Sequence, residues 1–312
     1  MNNNKLKIGE EAKRVVFIGD SITAAGMYIA YLDAYLMQNM QGLKTEIINL
    51  GVESETASGL SEPSHPWPRP CLHDRIDNVL RQTKPDIVSF CYGMNDGIYY
   101  PFSESRFEAY QKGIISLIDK IRKHGAKIIA LTPLPFDAFS FKERGGVLLP
   151  DGLESYSYQT PFENYNQVLK KYAEWIKELG DKVDIVIDIH SPVYDFINTE
   201  RERNPGFISG DGIHPNNLVH WVITKTILKN LFNITLTEVP FYVSKPDTCD
   251  GRYDFAELIE KRHRLLSYAW KEHVGHTNPN KANALPLSEA IVKAAELEKQ
   301  IRENFQSLNL GR

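Results

Sequence analysis

The sequence predicts a doubly wound, three-layer α/β/α sandwich, in which helices cover both faces of a central parallel sheet of about five strands. Two observations support this. Short apolar runs alternate with longer segments of helical periodicity. The chain between successive runs is also long enough for the helical crossover that parallel strands need. Because such sheets bind ligands at the carboxyl ends of their strands, the segments after residues 18, 50, 91, 131 and 187 are candidate sites.

The predicted elements follow in order along residues 15–231. The run 15–18 is the first strand, and apolar residues at steps of three and four predict a helix over 24–40. Pro85 ends a later helix, and Gly125 lies where a helix C-terminus is expected. The other predicted strands are 46–50, 86–91, 127–131 and 183–187, and the other predicted helices are 72–81, 103–124, 162–179 and 218–231.

The chain changes character after about residue 235. Apolar stripes over 255–270 and 288–305 predict two helices, separated by a polar, turn-rich stretch. We therefore predict one domain over residues 1–235 and a C-terminal helical extension over residues 236–312, packed back on the sandwich. The extension is a structural appendage, a lid or a surface for a homodimer, and the sequence leaves these readings open.

The composition is that of an ordinary globular protein. Of 312 residues, 42% are hydrophobic and 24% are charged, which excludes a disordered, collagenous or coiled-coil chain. The net charge of −4 supplies no basic field, so we predict no nucleic-acid partner. No apolar stretch is long enough to span a bilayer. The first 14 residues lack the apolar core of a secretory signal, which predicts a cytoplasmic location, although a leader already removed would leave the same pattern.

The cysteines predict neither disulfides nor a metal site. Cys71, Cys91 and Cys249 are odd in number and include no CxxC pair, which argues against a disulfide framework and a Cys₄ zinc site. No HExxH or similar spacing is present. Neither a GxxxxGK[ST] loop nor a GxGxxG turn follows the first strand, so both nucleotide-binding motifs are excluded. We predict no metal and no cofactor.

Polar blocks at the predicted strand ends, and one late in the chain, suggest acyl transfer. A serine hydroxyl such as that of Ser21 needs a base, and His214 is the candidate because an imidazole titrates near neutral pH. Asp211, three residues earlier, can hold the imidazole. Three groups can stabilise an oxyanion: the Ser21 N–H, the Gly51 N–H and the side-chain amide of Asn95.

These blocks resemble the SGNH hydrolases, also called GDSL-type esterases, a family named for a serine, a glycine, an asparagine and a histidine in four separate blocks. Ser21 matches the nucleophile, Gly51 the glycine, Asn95 the oxyanion asparagine, and Asp211 with His214 the acid and base. The resemblance covers residues 15 to about 231. It implies a flavodoxin-like fold and ester hydrolysis without a metal. The first block reads GDSIT, and the proline-rich segment 61–70 falls outside the shared pattern.

The residues around these blocks suggest a polar substrate. The segment 61–70 offers His65, Trp67 and Arg69, and Tyr92 and Tyr99 flank the asparagine block; together they suit the face of a sugar. We therefore predict a small-molecule substrate, a short-acyl, chiefly acetyl, ester of a carbohydrate or similar alcohol. Two alternatives stay open: a lysophospholipase or thioesterase with the same triad, and a non-catalytic carbohydrate-binding protein. A packing role for Trp67 is also open.

Overall fold

A computed structural model of the chain describes residues 14–40, 42–243 and 252–310. Within them, the strands form one parallel sheet in the order β2-β1-β3-β4-β5, which confirms the predicted three-layer sandwich. Cys249 and residues 1–13 lie outside the described part. The strands are β1 (Arg14–Gly19), β2 (Glu46–Asn49), β3 (Ile87–Cys91), β4 (Lys127–Leu131) and β5 (Ile185–Ile187).

Helices cover both faces of the sheet. The helices before the extension are α1 (Ser21–Ala25), α2 (Met27–Asn39), α3 (Ile76–Thr83), α4 (Glu104–Lys123), α5 (Ala138–Glu143), α6 (Tyr165–Lys177), α7 (His190–Arg203) and α8 (Asn217–Phe232). Helix α8 contacts both α2 and α7, and α3 contacts α4. Stacking of Tyr110 on Tyr172, with ring centroids 4.5 Å apart, joins α4 to α6. The strands are buried between these layers, as expected of a parallel sheet.

Two local differences from the predicted elements have physical causes. The single helix expected over 24–40 is divided at Gly26, whose φ of 63° places it in the left-handed region. A Cβ there would lie 2.2 Å from Asn49 Nδ2, so the close approach requires glycine. Helix α7 was not predicted, because Val193 and Ile197 are the only apolar residues that it buries and Pro192 lies near its start.

The described part of the extension packs onto the edge of the sandwich at β2. It consists of α9 (Arg252–Val274) and α10 (Leu287–Leu310), which contact each other. Trp270 and Val274 join the main apolar core, while Phe255 and Ile301 belong to a second cluster shared with α2 and α8. The domain boundary at residue 235 stays a prediction.

Two further expectations also stay predictions. Helix α10 exposes Ile291 and Val292, but nothing tests a homodimer through the C-terminal helices. The cytoplasmic location is likewise untested. Among the described helices, none combines the length and the apolar character that a membrane crossing requires.

Candidate active site

Ser21 lies where the first strand meets the first helix. Strand β1 ends at Gly19, and Ser21 is the first residue of α1. The carboxylate of Asp20 accepts a hydrogen bond from the Ile22 N–H at 3.0 Å and so caps the helix. This leaves the half-buried Ser21 hydroxyl at the carboxyl edge of the sheet, beside the ends of β2 and β3.

The structure brings Ser21, His214 and Asp211 together. His214 Nε2 lies 2.9 Å from Ser21 Oγ, and His214 Nδ1 lies 2.8 Å from Asp211 Oδ2. The other carboxylate oxygen of Asp211 accepts the N–H groups of Ile213 at 2.9 Å and His214 at 2.6 Å. An imidazole held between a hydroxyl and a carboxylate in this way can take up the hydroxyl proton.

Asp211 and His214 shift each other's pKa. Burial opposes ionisation of Asp211, but its hydrogen bond and proximity to His214 outweigh that effect and lower the pKa of Asp211 to about 2. Burial would likewise lower the pKa of His214, yet the hydrogen bond and charge of Asp211 raise it above its ordinary value. The carboxylate therefore stays ionised wherever the imidazole titrates.

A polar cluster beneath the loop 209–215 supports it. The Asp137 carboxylate accepts hydrogen bonds from the hydroxyls of Ser140 and Ser209 and pairs with Arg201. The Asp137 N–H also donates to the Gly212 carbonyl at 2.9 Å. Burial opposes the charge on Asp137, but these donors keep its pKa below the usual value. The loop that carries Asp211 and His214 is thus anchored to the segment after β4.

Asn95 follows β3 and faces the loop that follows β2. It is buried, its Nδ2 donates to the Glu55 carbonyl at 3.2 Å, and its Oδ1 accepts the Tyr99 hydroxyl at 3.0 Å. Because Tyr99 occupies the oxygen, the amide orientation is fixed and the second N–H of Nδ2 stays available. Asp96 accepts the N–H groups of Ala57 and Ser58, which ties the two strand ends together.

Two carboxylates near Ser21 are buried and harder to ionise than usual. Burial raises the pKa of Asp20 to about 7 and that of Asp96 to about 6, and their mutual repulsion adds to the shift of Asp20. Asp20 caps α1 and Asp96 holds the loop after β2. Both therefore act on the backbone around Ser21, in line with the orienting role that a carboxylate beside a turn usually has.

The backbone N–H of Gly51 is not free, contrary to the prediction. That N–H donates to Asn49 Oδ1 at 2.9 Å, and the residue is buried. A Cβ at Gly51 would lie 2.3 Å from the Ala24 nitrogen, so glycine is required here for close packing against α1. Ser54, three residues later, has a φ of 62°, and within the described chain no acceptor is bonded to its N–H. The sequence carried no signal for this conformation, because serine seldom adopts it.

Three of the predicted substrate-binding residues are buried and bonded inside the protein. Arg69 forms a two-point ion pair with Glu62, with distances of 2.6 and 2.7 Å, and its guanidinium lies over the Tyr99 ring. Tyr92 donates its hydroxyl to Glu55 at 2.6 Å, and Tyr99 donates to Asn95. These contacts correct the prediction for Arg69, Tyr92 and Tyr99, because loops cover the rings and the guanidinium where the sequence suggested open surface.

His65 and Trp67 remain half-buried at the surface. Their rings pack edge to face with centroids 5.2 Å apart, and His65 also contacts the Tyr158 ring. The Trp67 Nε1–H is buried and has no hydrogen-bond partner within the described chain. A substrate role for these two residues stays a prediction. For residues 14–40, 42–243 and 252–310, no cluster of three or more His, Cys, Asp or Glu side chains is arranged to hold a metal ion.

Comparisons with known proteins show what the chain is similar to. A model of the GDSL-like lipase/acylhydrolase family matches residues 17–222, which include Ser21, Asn95, Asp211 and His214. Among curated proteins, no match was found.

Several solved structures share the fold. A gut microbial diltiazem-metabolizing enzyme superposes with a TM-score of 0.53 at 22% identity. The superposition covers 73% of this chain and 48% of that enzyme, so this chain spans about half of the enzyme's length. Axe2, an acetylxylan esterase from Geobacillus stearothermophilus, superposes with a TM-score of 0.52 at 20% identity over 72% of this chain and 96% of its own. An Axe2 mutant, described as an acetyl-xylooligosaccharide esterase, has a TM-score of 0.53 at 19% identity over 75% of this chain and 100% of its own.

Proposed function

The chain belongs to the GDSL-like lipase/acylhydrolase family and is a carboxylic ester hydrolase. We propose that it cleaves short-acyl, chiefly acetyl, esters of a carbohydrate or similar small alcohol through an acyl-enzyme on Ser21. One observation carries the mechanism. The hydrogen bonds from Ser21 through His214 to Asp211, at 2.9 and 2.8 Å, are continuous.

Acylation begins when Ser21 Oγ attacks the carbonyl carbon of the ester. His214 Nε2 accepts the hydroxyl proton as the new C–O bond forms, and Asp211 stabilises the resulting imidazolium. The tetrahedral intermediate then breaks its bond to the alcohol oxygen, which leaves with the proton from His214. The products of this half-reaction are the free alcohol and an ester between the acyl group and Ser21.

Deacylation repeats these steps with water. His214 accepts a proton from water, whose oxygen attacks the acyl carbon, and then returns the proton to Ser21 Oγ as the acyl bond breaks. The carboxylic acid is released and the serine is restored. The geometry that supports acylation therefore supports the second half-reaction as well.

The oxyanion needs donors, and we propose three: the Ser21 N–H, the free N–H of Asn95 Nδ2, and the Ser54 N–H in place of that of Gly51. The loop that carries Ser54 adjoins Asn95, because Nδ2 also donates to the carbonyl of the next residue, Glu55. The Gly51 N–H is occupied by Asn49, whereas that of Ser54 has no partner in the described chain. Loss of one such donor typically costs about 2.7–4 kcal/mol of barrier.

The choice of a short acyl group is supported by the solved structures that share the fold. The apolar gap beside His214, which is lined by residues such as Leu134, Val193 and Ile213, has a volume of about 10 Å³ and does not include Ser21 in its lining, so it is not an acyl pocket. The acetylated xylooligosaccharides named for Axe2 suggest acetylated sugars as the first natural substrates to try. Half-buried Trp67 and His65 are candidates to contact the sugar.

A p-nitrophenyl ester series from acetyl to decanoyl tests the proposal, with wild type, Ser21→Ala and the exposed control Ser105→Ala measured together. We expect the highest kcat/KM for acetyl and a loss of at least about 10⁴-fold in kcat in Ser21→Ala only. Retained turnover in Ser21→Ala would contradict the mechanism. A rate that rises toward decanoyl would favour the lysophospholipase or thioesterase reading.

A fluorophosphonate probe separates an enzyme from a protein that has lost catalysis. We expect covalent labelling of wild type and of Ser105→Ala and no labelling of Ser21→Ala, because phosphonylation needs an activated serine. An unlabelled, folded wild type that also cleaves no ester would favour the non-catalytic carbohydrate-binding reading.

A further inference from the structure

The C-terminal extension contacts the loop of residues 50–57, which follows β2 and carries Ser54. Asn278, in the segment after α9, donates from Nδ2 to the Glu53 carbonyl at 2.8 Å. Ser267 donates its hydroxyl to the Asn49 carbonyl at 3.0 Å, and His263 Nε2 lies 3.0 Å from Asn49 Nδ2. These contacts link residues more than 200 positions apart in the chain, and residues 263–278 lie outside the segment that the family model matches.

Asn278 is held in one orientation. Its side chain is buried, with 1% of the residue exposed, and its Oδ1 accepts the Asn280 N–H at 2.8 Å. Since the oxygen is already bonded, the nitrogen must face the Glu53 carbonyl. The hydrogen bond to Glu53 is therefore a fixed feature of the packed extension.

The Glu53 carbonyl and the Ser54 N–H belong to the same peptide group. A trans peptide is planar, and its C=O and N–H point in opposite directions. A donor that holds the carbonyl oxygen on one side therefore fixes where the N–H points on the other side. A hydrogen bond to the carbonyl also polarises the peptide group, which makes its N–H a stronger donor.

Ser54 needs such support because its φ of 62° is unfavourable for a residue with a Cβ. The following peptide is held as well, since Arg69 Nη1 donates to the Ser54 carbonyl at 3.3 Å. Lys271, a buried residue of α9, lies 3.5 Å from the Glu53 carboxylate. The left-handed residue is thus held on both sides, and two of the groups that hold it come from the extension.

We propose that Asn278 is a positioning residue for ester hydrolysis, which fixes the Glu53–Ser54 peptide so that the Ser54 N–H faces the oxyanion. This inference rests on the proposed acyl transfer at Ser21. It gives the C-terminal extension a role in catalysis, because an amide from the extension completes a site whose other groups come from the sandwich.

The test compares Asn278→Asp with Asn280→Asp in the full-length protein. The first replaces the donor by a carboxylate of the same shape facing the Glu53 carbonyl, and the second makes the same charge change at an exposed position. For p-nitrophenyl acetate we expect kcat of Asn278→Asp to fall about 10- to 100-fold, with KM nearly unchanged. This loss is smaller than the ~10²–10³-fold loss of kcat that follows deletion of an oxyanion donor, because the Ser54 N–H is displaced and not removed. Asn280→Asp is expected to keep wild-type kcat.

A second substrate distinguishes positioning from general damage. In the O-aryl thionoacetate, sulfur replaces the carbonyl oxygen and is a weak hydrogen-bond acceptor, so that its hydrolysis depends less on the oxyanion donors. Asn278→Asp should therefore lower the ratio of ester to thionoester rates by about 10-fold, while purely structural damage lowers both rates alike. Asn278→Ala repeats the test with an uncharged side chain if the aspartate variant does not fold.

The outcomes separate this inference from the proposed function. An unchanged rate ratio in a folded Asn278 variant, with Ser21-dependent activity in wild type, overturns the positioning role alone. Wild-type protein that cleaves neither ester nor thionoester, and that the fluorophosphonate probe does not label, overturns the acyl transfer on which the role depends.

Discussion

The loop of residues 209–215 and the loop of residues 50–57 both carry candidate catalytic groups, but they are held in different ways. In the first, Asp211 bonds the backbone and ring of His214, three residues away, and Asp137 and its partners add support from elsewhere. In the second, the supporting groups include Arg75, Asn95 and Asn278, which come from three separate segments far along the chain.

This difference decides how each loop responds to change. The short-range contacts of Asp211 and His214 involve half-exposed side chains, so their loss alters chemistry more than folding. The loop 50–57 instead depends on a buried ion pair, in which Glu55 bonds Arg75 through both oxygens at 2.6 Å and also accepts the Tyr92 hydroxyl. Loss of a partner there leaves a charge without compensation inside the protein.

The largest effect is expected from Asp211→Asn. We expect kcat to fall by about 10⁴-fold with little change in unfolding temperature, because the histidine loses the group that fixes its tautomer. Asp211 also holds the pKa of His214 above its ordinary value, so the acid limb of kcat/KM should move to lower pH in the variant. Steady-state rates across pH check this, with exposed Asp195→Asn as control, and an unmoved limb would contradict it.

An intermediate effect, on stability, is expected from Arg75→Met. The change leaves Glu55 buried without its cation, which typically costs about 3–5 kcal/mol in the free energy of unfolding. Urea denaturation measures this, and Arg81→Met on the exposed side of α3 is the matched control. Adding Glu55→Gln removes the stranded charge and should recover part of the loss. A double variant no more stable than Arg75→Met would show that the charge is not the cause.

The smallest effect is expected from Ser54→Gly. Glycine adopts a φ of 62° without the roughly 1–2 kcal/mol cost of a Cβ, and its greater freedom in the unfolded chain offsets part of that gain. We expect the free energy of unfolding to rise by about 0.5–1 kcal/mol. Ser58→Gly, four residues later in the same loop region, should lower it. A loss of stability in both variants would show that Ser54 is not strained.

The sequence predicted the parts of the protein that short-range patterns encode. Apolar runs and helical stripes predicted the five-stranded parallel sheet and its layers, and the family match confirmed the resemblance seen in the four blocks. Asp211 and His214 could be paired because they lie three positions apart, on one turn. Helix α7 was missed because it buries few apolar residues.

Contacts between distant segments were outside the reach of such patterns. The sequence predicted that Tyr92 and Tyr99 are exposed aromatic residues. The fold buries both, and their hydroxyls donate to Glu55 and Asn95. The sequence predicted that Arg69 binds a sugar, whereas in the structure it forms a buried ion pair with Glu62. The partner of Tyr92 lies 37 positions away, whereas those of Tyr99 and Arg69 lie only four and seven positions away. Distant segments nevertheless cover these two side chains, because Tyr165 stacks on Tyr99 and the Arg69 guanidinium lies over the Tyr158 ring.

By itself, the sequence determined the fold class, the family and which residue types could carry out acyl transfer, because periodicity and compact motifs act over a few residues. Only the tertiary structure decided that the Gly51 N–H is occupied, that Ser54 is left-handed and that Asn278 reaches the Glu53 carbonyl. Whether an N–H is free depends on every acceptor that packing brings near it, and packing joins segments that the order of residues leaves far apart.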